Sequence, residues 1–487
     1  MAIKENDWFS VSREGLAELY KEKPKSFILR ELIQNSFDER RDGSELVCNI
    51  KTTFDSAKKT AYISVEDNGV EGWKDLSDAY TLYKHSYKRG NVKLRGRFNL
   101  GEKQIFSICE SAEIKTTKGT IYFSNDGRTE DRSKKTNSGT IVSIVLQMSK
   151  GEYGEMLSSA ANYIIPDGIS LILNGNKINS RKPIKEFAAR LRTEIFENGS
   201  MRKTTEETTV SLYDRLSGKS WLYELGIPVC EIDCDYSIDV GQKIPLTIDR
   251  DSVLPSFLIE LYGYVLNEMA DSVADASASS AWVRSATVSK TINKETVEKV
   301  LRKRFGEKAC VANNFDENSN DEAISKGYNL IYGGEMSSDE WKKINELGIL
   351  ETSSDLFGKD FSKSKIITEL TTEMRIIKDY SERIAKKFLG IDIKVLFIED
   401  DKTNVEADYS SNSKTLRFNL SLMRDMLDGS INEKITALII HELSHEAGNH
   451  TNYNYQKMQA NLGANLILEA LKNKSFFDIR CDFDKAD

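Results

Sequence analysis

The sequence predicts an α+β protein of several domains, and three observations carry that prediction. The chain has 487 residues, well beyond the roughly 100–200 that one domain usually holds. Apolar patterns with helix and strand periods alternate along its length. Turn clusters and composition shifts divide the alternation into four blocks, at residues 1–150, 151–280, 291–360 and 361–487.

In the first block, "SREGLAELYKEKPKSFILRELIQNSFDERR" spaces Leu16, Leu19, Ile28, Leu32 and Ile33 as on a helix, and "TAYISVEDNG" is a strand closing in a turn. "AEIKTTKGTIYFSND" and "GTIVSIVLQ" continue as strands. The second block opens with "GISLILNGNKI", a hairpin pattern, and runs through "WLYELGIPVCEID" and "QKIPLTIDRDSVLPSFLIELYGYVLNEMADSVAD". The Ala/Ser-rich "ADASASSAW" marks its end. A small third block orders helix, strand, helix, strand, helix. The fourth begins with "SKIITELTTEMRIIKDYSERIAKKFLG", expected as one long amphipathic helix. Strands "IDIKVLFIED" and "KTLRFNL" follow, and helices surround a histidine cluster at the end.

Composition narrows the class. The chain is 39% hydrophobic and 30% charged, with no apolar run near the roughly 20 residues of a membrane helix. "MAIKENDWFSVSREG" lacks the apolar core of a secretory leader, so none is expected. The six cysteines are scattered without a C-x-x-C pair, which suits reduced thiols and a cytoplasmic protein. "CEIDC" has no second ligand pair and is read as structural. A net charge of −8 does not indicate a general nucleic-acid surface. "KHSYKRGNVKLRGRFNLGEK", at 84–103, nevertheless concentrates positive charge in a glycine-containing stretch.

Glu31, Asn35 and Asp38 in "RELIQNSFDER" stand at i, i+4 and i+7 and share one helix face. Three further motifs follow in order. "VEDNG" sets Asp67 and Gly69 at a strand end. "GRFNLGEKQIFS" offers Gly96, Gly101 and Lys103 in a glycine loop entering a helix, a setting that suits phosphate. "NSGTIVSIVL" puts Thr140 at a strand start.

Together these motifs resemble the GHKL superfamily, the Bergerat-type ATPase α/β sandwich of gyrase B, MutL, sensor histidine kinases and the ninety-kilodalton heat-shock chaperone. The likeness covers about the first third of the chain. It implies ATP and Mg²⁺ as cofactors. Glu31 would be the general base for the attacking water and Asn35 the Mg²⁺ ligand, with Asp38 on the same face. Asp67 would accept the adenine amino group beside Gly69, and Thr140 would support that end. Gly101 and Lys103 would belong to the lid over the phosphates, in the loop that also carries Gly96. The sequence departs from the family's D-x-G-x-G pattern, because "DNGVEGW" carries Gly72 one position late. In the second, transducer-like block, "GQKIPLTIDRDSV" resembles the segment whose basic residue reaches the γ-phosphate. Arg250 is one candidate, and Gln242 with Lys243 is the other. The superfamily closes an ATP-dependent homodimer, which is expected here too.

The chain has four histidines, three of them in "IIHELSHEAGNHTN". His441 and His445, four apart on a helix, face one side, and Glu442 adjoins the first. The motif resembles the HExxH zincin metallopeptidases, which implies Zn²⁺, a protein or peptide substrate, and Glu442 as the base. Either His450 or Glu469 would be the third ligand. "SKTLRFNLSL" would supply a strand edge for an extended substrate. The functional expectation is an ATPase with a zinc peptidase centre, nucleotide-driven dimer closure regulating proteolysis. The alternative is a chaperone-like or nucleic-acid-clamping ATPase with a structural zinc site, in a setting such as phage–host conflict. The block at 291–360 carries no motif.

Overall fold

In the computed structural model, the described residues are 11–477 without 42, 70–72, 74, 85–86, 98, 198–199, 248–251, 314–316, 358–364, 402–404, 412, 424–426, 428–429, 449 and 451–452. The fold is mixed α/β, with four sheets among those residues. The chain divides into two compact units, 1–261 and 262–487.

The first unit begins with helices α1 (Arg13–Tyr20) and α2 (Ser26–Phe37), then strands β1 (Leu46–Asp55) and β2 (Thr60–Asp67). Helix α3 (Gly101–Ile108) precedes β3 (Ser111–Thr116), β4 (Gly119–Ser124), β5 (Gly127–Asp131) and β6 (Ile141–Gln147). Helix α4 (Lys150–Ser159) leads into β7 (Ile169–Leu173) and β8 (Asn176–Lys177). The eight strands form one sheet in the order β5-β4-β3-β6-β2-β1-β7-β8. Alternation explains its core. Leu46, Cys48 and Ile50 of β1 and Ile63 and Val65 of β2 point inward and meet Ile28, Leu29, Leu32, Ile33 and Phe37 of α2.

The hairpin "GISLILNGNKI" lies in this sheet, not in the second block where the sequence places it. Its β7 pairs parallel with β1, Ile169 opposite Leu46 and Leu171 opposite Cys48. Those two residues extend the same apolar face, and burying them against β1 decides which sheet the hairpin joins.

A second sheet contains β9 (Lys185–Glu197), β10 (Ser200–Tyr213), β11 (Ser220–Glu224), β12 (Ile227–Ile232) and β13 (Ser237–Val240), in the order β12-β11-β13-β10-β9. Its segment after β13 meets the basic stretch of the first sheet, where the Lys243 N–H donates to Val92 O at 2.8 Å. Helix α5 (Pro255–Met269) follows.

In the second unit, α6 (Ala281–Thr287) and α7 (Lys294–Phe305) precede β14 (Ala309–Val311), α8 (Glu317–Ser325), β15 (Asn329–Ile331), α9 (Ser338–Leu347) and α10 (Ser353–Phe357). Strands β14 and β15 pair in parallel. Glu340 closes the capping box of α9 and takes ion pairs from Arg284 and Arg304, both at 2.7 Å.

The expected long helix at the start of the fourth block is shorter than its periodicity. Lys365–Ile366 is a strand, β16, paired with β17 (Lys394–Glu399). Helix α11 (Thr372–Ile384) starts only where the Thr371 hydroxyl accepts the Met374 N–H. Strands β18 (Ala407–Ser410) and β19 (Thr415–Asn419) complete the sheet in the order β16-β17-β19-β18. "SKTLRFNLSL" therefore supplies an inner strand, β19, and the edge is β18. Phe418 and Leu416 of β19 are fully buried, and an edge position would leave them poorly covered. Short α12 (Leu420–Met423) leads to α13 (Glu433–Ser444) and α14 (Tyr453–Lys472).

Candidate functional site

Two groups of chemistry-bearing side chains assemble, one in each unit. The first surrounds a cavity of about 340 Å³ whose wall includes Glu31, Asn35, Asp67, Gly96, Gly101 and Thr140. This size is within the range of small-molecule sites. Helix α2 turns Glu31 and Asn35 toward it because Leu32, Ile33 and Phe37 anchor its other face in the core.

At one end, the Asp67 N–H donates to Thr140 O at 3.0 Å, and the Asp67 carboxylate accepts the Gly69 N–H at 2.9 Å. Gly139 makes the crossing possible: φ is +67°, and a Cβ there would lie 1.8 Å from Asp67 O. Oγ1 of Thr140 is buried without a hydrogen-bond partner, a place for a ligand to bond. Burial pushes the Asp67 carboxyl up to about 6, against the Gly69 N–H, which lowers it.

At the other end, Gly101 begins α3 directly against the base candidate. A Cβ on Gly101 would sit 2.0 Å from Glu31 Oε2, so any side chain would displace that carboxylate. Glu102 lines the cavity as well, its Oε2 accepting from Asn35 Nδ2 at 3.4 Å.

Four expected ligands are elsewhere. Asp38 is fully buried beneath the loop, accepting the N–H groups of Arg95 and Gly96 at 2.9 Å each. Burial raises its pKa, but Lys88, Arg95 and those N–H groups outweigh it and hold the carboxyl below its usual range. Its role is to shape the loop. Lys103 turns from the cavity because its ammonium is satisfied by Glu102 Oε1 at 2.6 Å, Asn99 Oδ1 at 2.9 Å and Asp78 O. Lys243 is 1% exposed and donates to Lys88 O at 2.6 Å and Arg89 O at 3.1 Å. Gln242 is buried, donating to Leu191 O at 3.1 Å. Gly72 and Arg250 lie outside the described residues. The basic stretch reaches the cavity through Lys84, Lys88 and Arg97 instead, and Trp73 adds an aromatic wall. Sequence reasoning passed over Arg97, although it sits between two motif glycines, and over Trp73 and Glu102, whose inward direction only the fold reveals.

The second group is the histidine cluster. Ile435, Ile439 and Leu443 anchor α13 in the core of the C-terminal sheet, which fixes the direction of His441 and Glu442. His445 caps the helix and Gly448 breaks it, so the chain doubles back to bring in His450. One nitrogen from each of His441, His445 and His450 lies within 4.8 Å of the others, a group that could hold a metal ion. Nε2 of His441 and Nε2 of His450 are 3.0 Å apart. Two nitrogens at about 2.0–2.1 Å from a tetrahedral zinc would be roughly 3.3 Å apart, so small shifts suffice.

Surrounding contacts prepare the rings. The Tyr455 hydroxyl lies 2.9 Å from His441 Nδ1, and His445 Nδ1 lies 3.2 Å from Gly448 O. Each contact occupies Nδ1 and leaves Nε2 to face the cluster. Burial lowers all three imidazole pKa values, to about 3 for His441 and His450, so the rings are neutral, the form that ligates metal. Glu442 is buried with Oε1 3.8 Å from His441 Nε2. Its carboxyl is raised well above the usual range by burial and by Asp408, against a Tyr409 N–H that lowers it. Glu469 is not part of the cluster. Its carboxylate pairs with Lys387 at 2.6 Å on α14. Tyr455 carried no sequence signal, since its partner is 14 residues earlier on another helix.

The chain matches no protein-family model and no curated protein.

Proposed function

We propose that this protein is an ATP-binding and ATP-hydrolysing zinc peptidase, its N-terminal unit a GHKL-type ATPase and its C-terminal block a zincin-like peptidase. The observation that carries the reading is convergence. Four segments far apart in sequence deliver Glu31, Asn35, Asp67, Gly96, Gly101 and Thr140 to one cavity, and three histidines meet beside a buried glutamate.

In the cavity, Asp67 and Thr140 hold the adenine edge while Gly69 leaves room for the flat base. Gly96 and Gly101 let the backbone approach the phosphates. Asn35 would hold Mg²⁺ through its side-chain oxygen, and the ion, when bound, would supply charge that neutralises the phosphate chain. Glu31 orients water and accepts its proton. Asp67 makes the binding pH-dependent. Its carboxyl is raised from 3.8 to about 6, so it is largely protonated in both folded and unfolded chains only below about pH 3. Above pH 6 the ionised form burdens the folded state by about 3 kcal/mol. Asp67→Asn should therefore raise the melting temperature at pH 7.5, with the gain shrinking as pH falls and nearly absent at about pH 3, while weakening ADP. An amino group donating to the carboxylate favours its ionised form, so wild-type affinity for ADP should rise with pH through 6. Calorimetric titration at pH 5 and pH 7.5 checks this, and equal affinities would refute it.

At the second site, zinc, when bound, supplies Lewis acidity that makes water nucleophilic near neutral pH and polarises a carbonyl. His441, His445 and His450 would hold it. Tyr455 and Gly448 fix two of those rings, and Glu442 takes the proton of the attacking water. The antiparallel edge strand β18 runs beside α13, and an extended peptide would add along that edge. Three histidines, with no fourth protein ligand in the group among the described residues, favour an open site over a structural one.

The ATPase resemblance extends the proposal to closure of a homodimer around ATP, with that closure regulating proteolysis. The first test needs no substrate: metal content by mass spectrometry of wild type and His445→Ala. About one zinc per chain, lost in the variant, is expected. No zinc in wild type after zinc is added back would refute the peptidase reading.

A further inference from the structure

We infer that Arg97 binds the phosphate chain of the nucleotide and, through Glu224, ties phosphate occupancy to the second sheet; this rests on the nucleotide reading of the cavity. Arg97 lines the cavity between Gly96 and Gly101 and is 4% exposed. Its Nη2 donates to the Glu224 carboxylate of β11 and to Ile244 O at 2.7 Å. Nε of the same guanidinium is buried and has no hydrogen-bond partner. A buried donor left unmet costs free energy that an anionic acceptor recovers, and the planar guanidinium matches phosphate geometry.

Like Arg97, the other cations of the cavity wall, Lys84 and Lys88, pair with carboxylates, but neither has a buried donor left unmet as Arg97 Nε is. Lys84 pairs with Asp75 and Asp78 at 2.6 Å each, and Lys88 pairs with Glu39 at 3.0 Å and Asp38 at 3.7 Å. Carboxylates outnumber cations in the lining, so a phosphate chain enters with a divalent cation and needs a donor that is not exhausted. Arg97 is that donor.

Its partner connects the site to the second sheet. Glu224 Oε2 also accepts the Ile244 N–H at 2.8 Å, so one oxygen holds both the arginine and the segment after β13. That segment is sewn back to the loop. Lys243 donates to Lys88 O and Arg89 O, and Lys93 Nζ donates to Gly241 O at 2.9 Å. The Arg89 guanidinium lies 4.7 Å from the Phe196 ring at the end of β9. A phosphate that takes a share of the Arg97 charge weakens its hold on Glu224, and Glu224 governs the position of Ile244. Arg97 is thus a phosphate ligand and Glu224 a positioning residue that reads it.

The test uses the full chain. Arg97→Gln alone would leave Glu224 buried without its cation and endanger the fold, so Arg97→Lys and the double variant Arg97→Gln/Glu224→Gln are compared with wild type, their folding checked by thermal unfolding. Calorimetric titration with adenosine, ADP and ATP, with magnesium, is read beside amide hydrogen exchange of 220–224 and 241–244. ATP affinity should fall about tenfold or more in the variants, with adenosine affinity unchanged. In wild type, ATP but not adenosine should alter exchange in both segments, and the variants should lose that response. Undiminished ATP affinity in the double variant, or identical exchange with ATP and adenosine, would overturn the inference alone. Failure of wild type to bind any of the three would overturn the nucleotide reading with it.

Discussion

Glu442→Ala should abolish peptide cleavage while the protein keeps its zinc and its ATP turnover. Glu442 neighbours His441 on α13 but does not belong to the group of three histidines that could hold a metal ion. Removing it leaves the three imidazoles and their Tyr455 and Gly448 contacts in place. What disappears is the proton acceptor for the attacking water, a contribution of roughly 10²–10⁴-fold in rate. Burial and the neighbouring Asp408 raise its pKa, which makes the ionised carboxylate a stronger proton acceptor. A peptide library digested by wild type and variant and read by mass spectrometry supplies the comparison, with zinc content measured on the same samples. Cleavage by the variant at the wild-type rate would remove Glu442 from the mechanism. Loss of zinc together with cleavage would show that it acts on the metal site instead.

The second large effect is expected at Glu31→Ala: ATP hydrolysis falls by roughly 10²–10⁴-fold and ATP still binds. The substitution removes a carboxylate that pairs with Arg30 at 3.6 Å and opens space beside Gly101, where in wild type a Cβ would meet Glu31 Oε2. The variant should accumulate in the ATP-bound, closed dimer, seen as a doubled mass by light scattering with ATP. It also tests communication between the sites, since coupling requires that nucleotide occupancy alter proteolysis. Equal cleavage with and without ATP, in wild type and Glu31→Ala alike, would leave two independent enzymes in one chain.

Helix faces were the most legible part of the molecule. Glu31 and Asn35 lie on the face their spacing indicates, and "HELSH" closes α13 with both rings on one side. The same spacing argument misassigned Asp38, which shares that face but meets the folded-over loop and becomes its buried anchor. Lys103 and Lys243 show the limit more sharply. A lysine near a glycine loop has the right charge for phosphate, yet the nearest acceptors satisfied both: Asp78 O, Asn99 and Glu102 for one, and Lys88 O and Arg89 O for the other. Nothing in the local pattern ranks those acceptors against a ligand.

Periodicities of 3.6 and 2 and the chemistry of turn residues act over a few positions, so the sequence alone determined the alternation of elements, the faces of α2 and α13, and the histidine spacing. Tertiary structure decided the rest, because it depends on partners more than a hundred residues away. Arg97 meets Glu224, Lys243 meets the carbonyl of Lys88, and β7 joins β1. It also chose β18 over β19 as the edge strand and His450 over Glu469 as the third member of the cluster. Burial and hydrogen-bond satisfaction are properties of the assembled fold, and those two requirements made each choice.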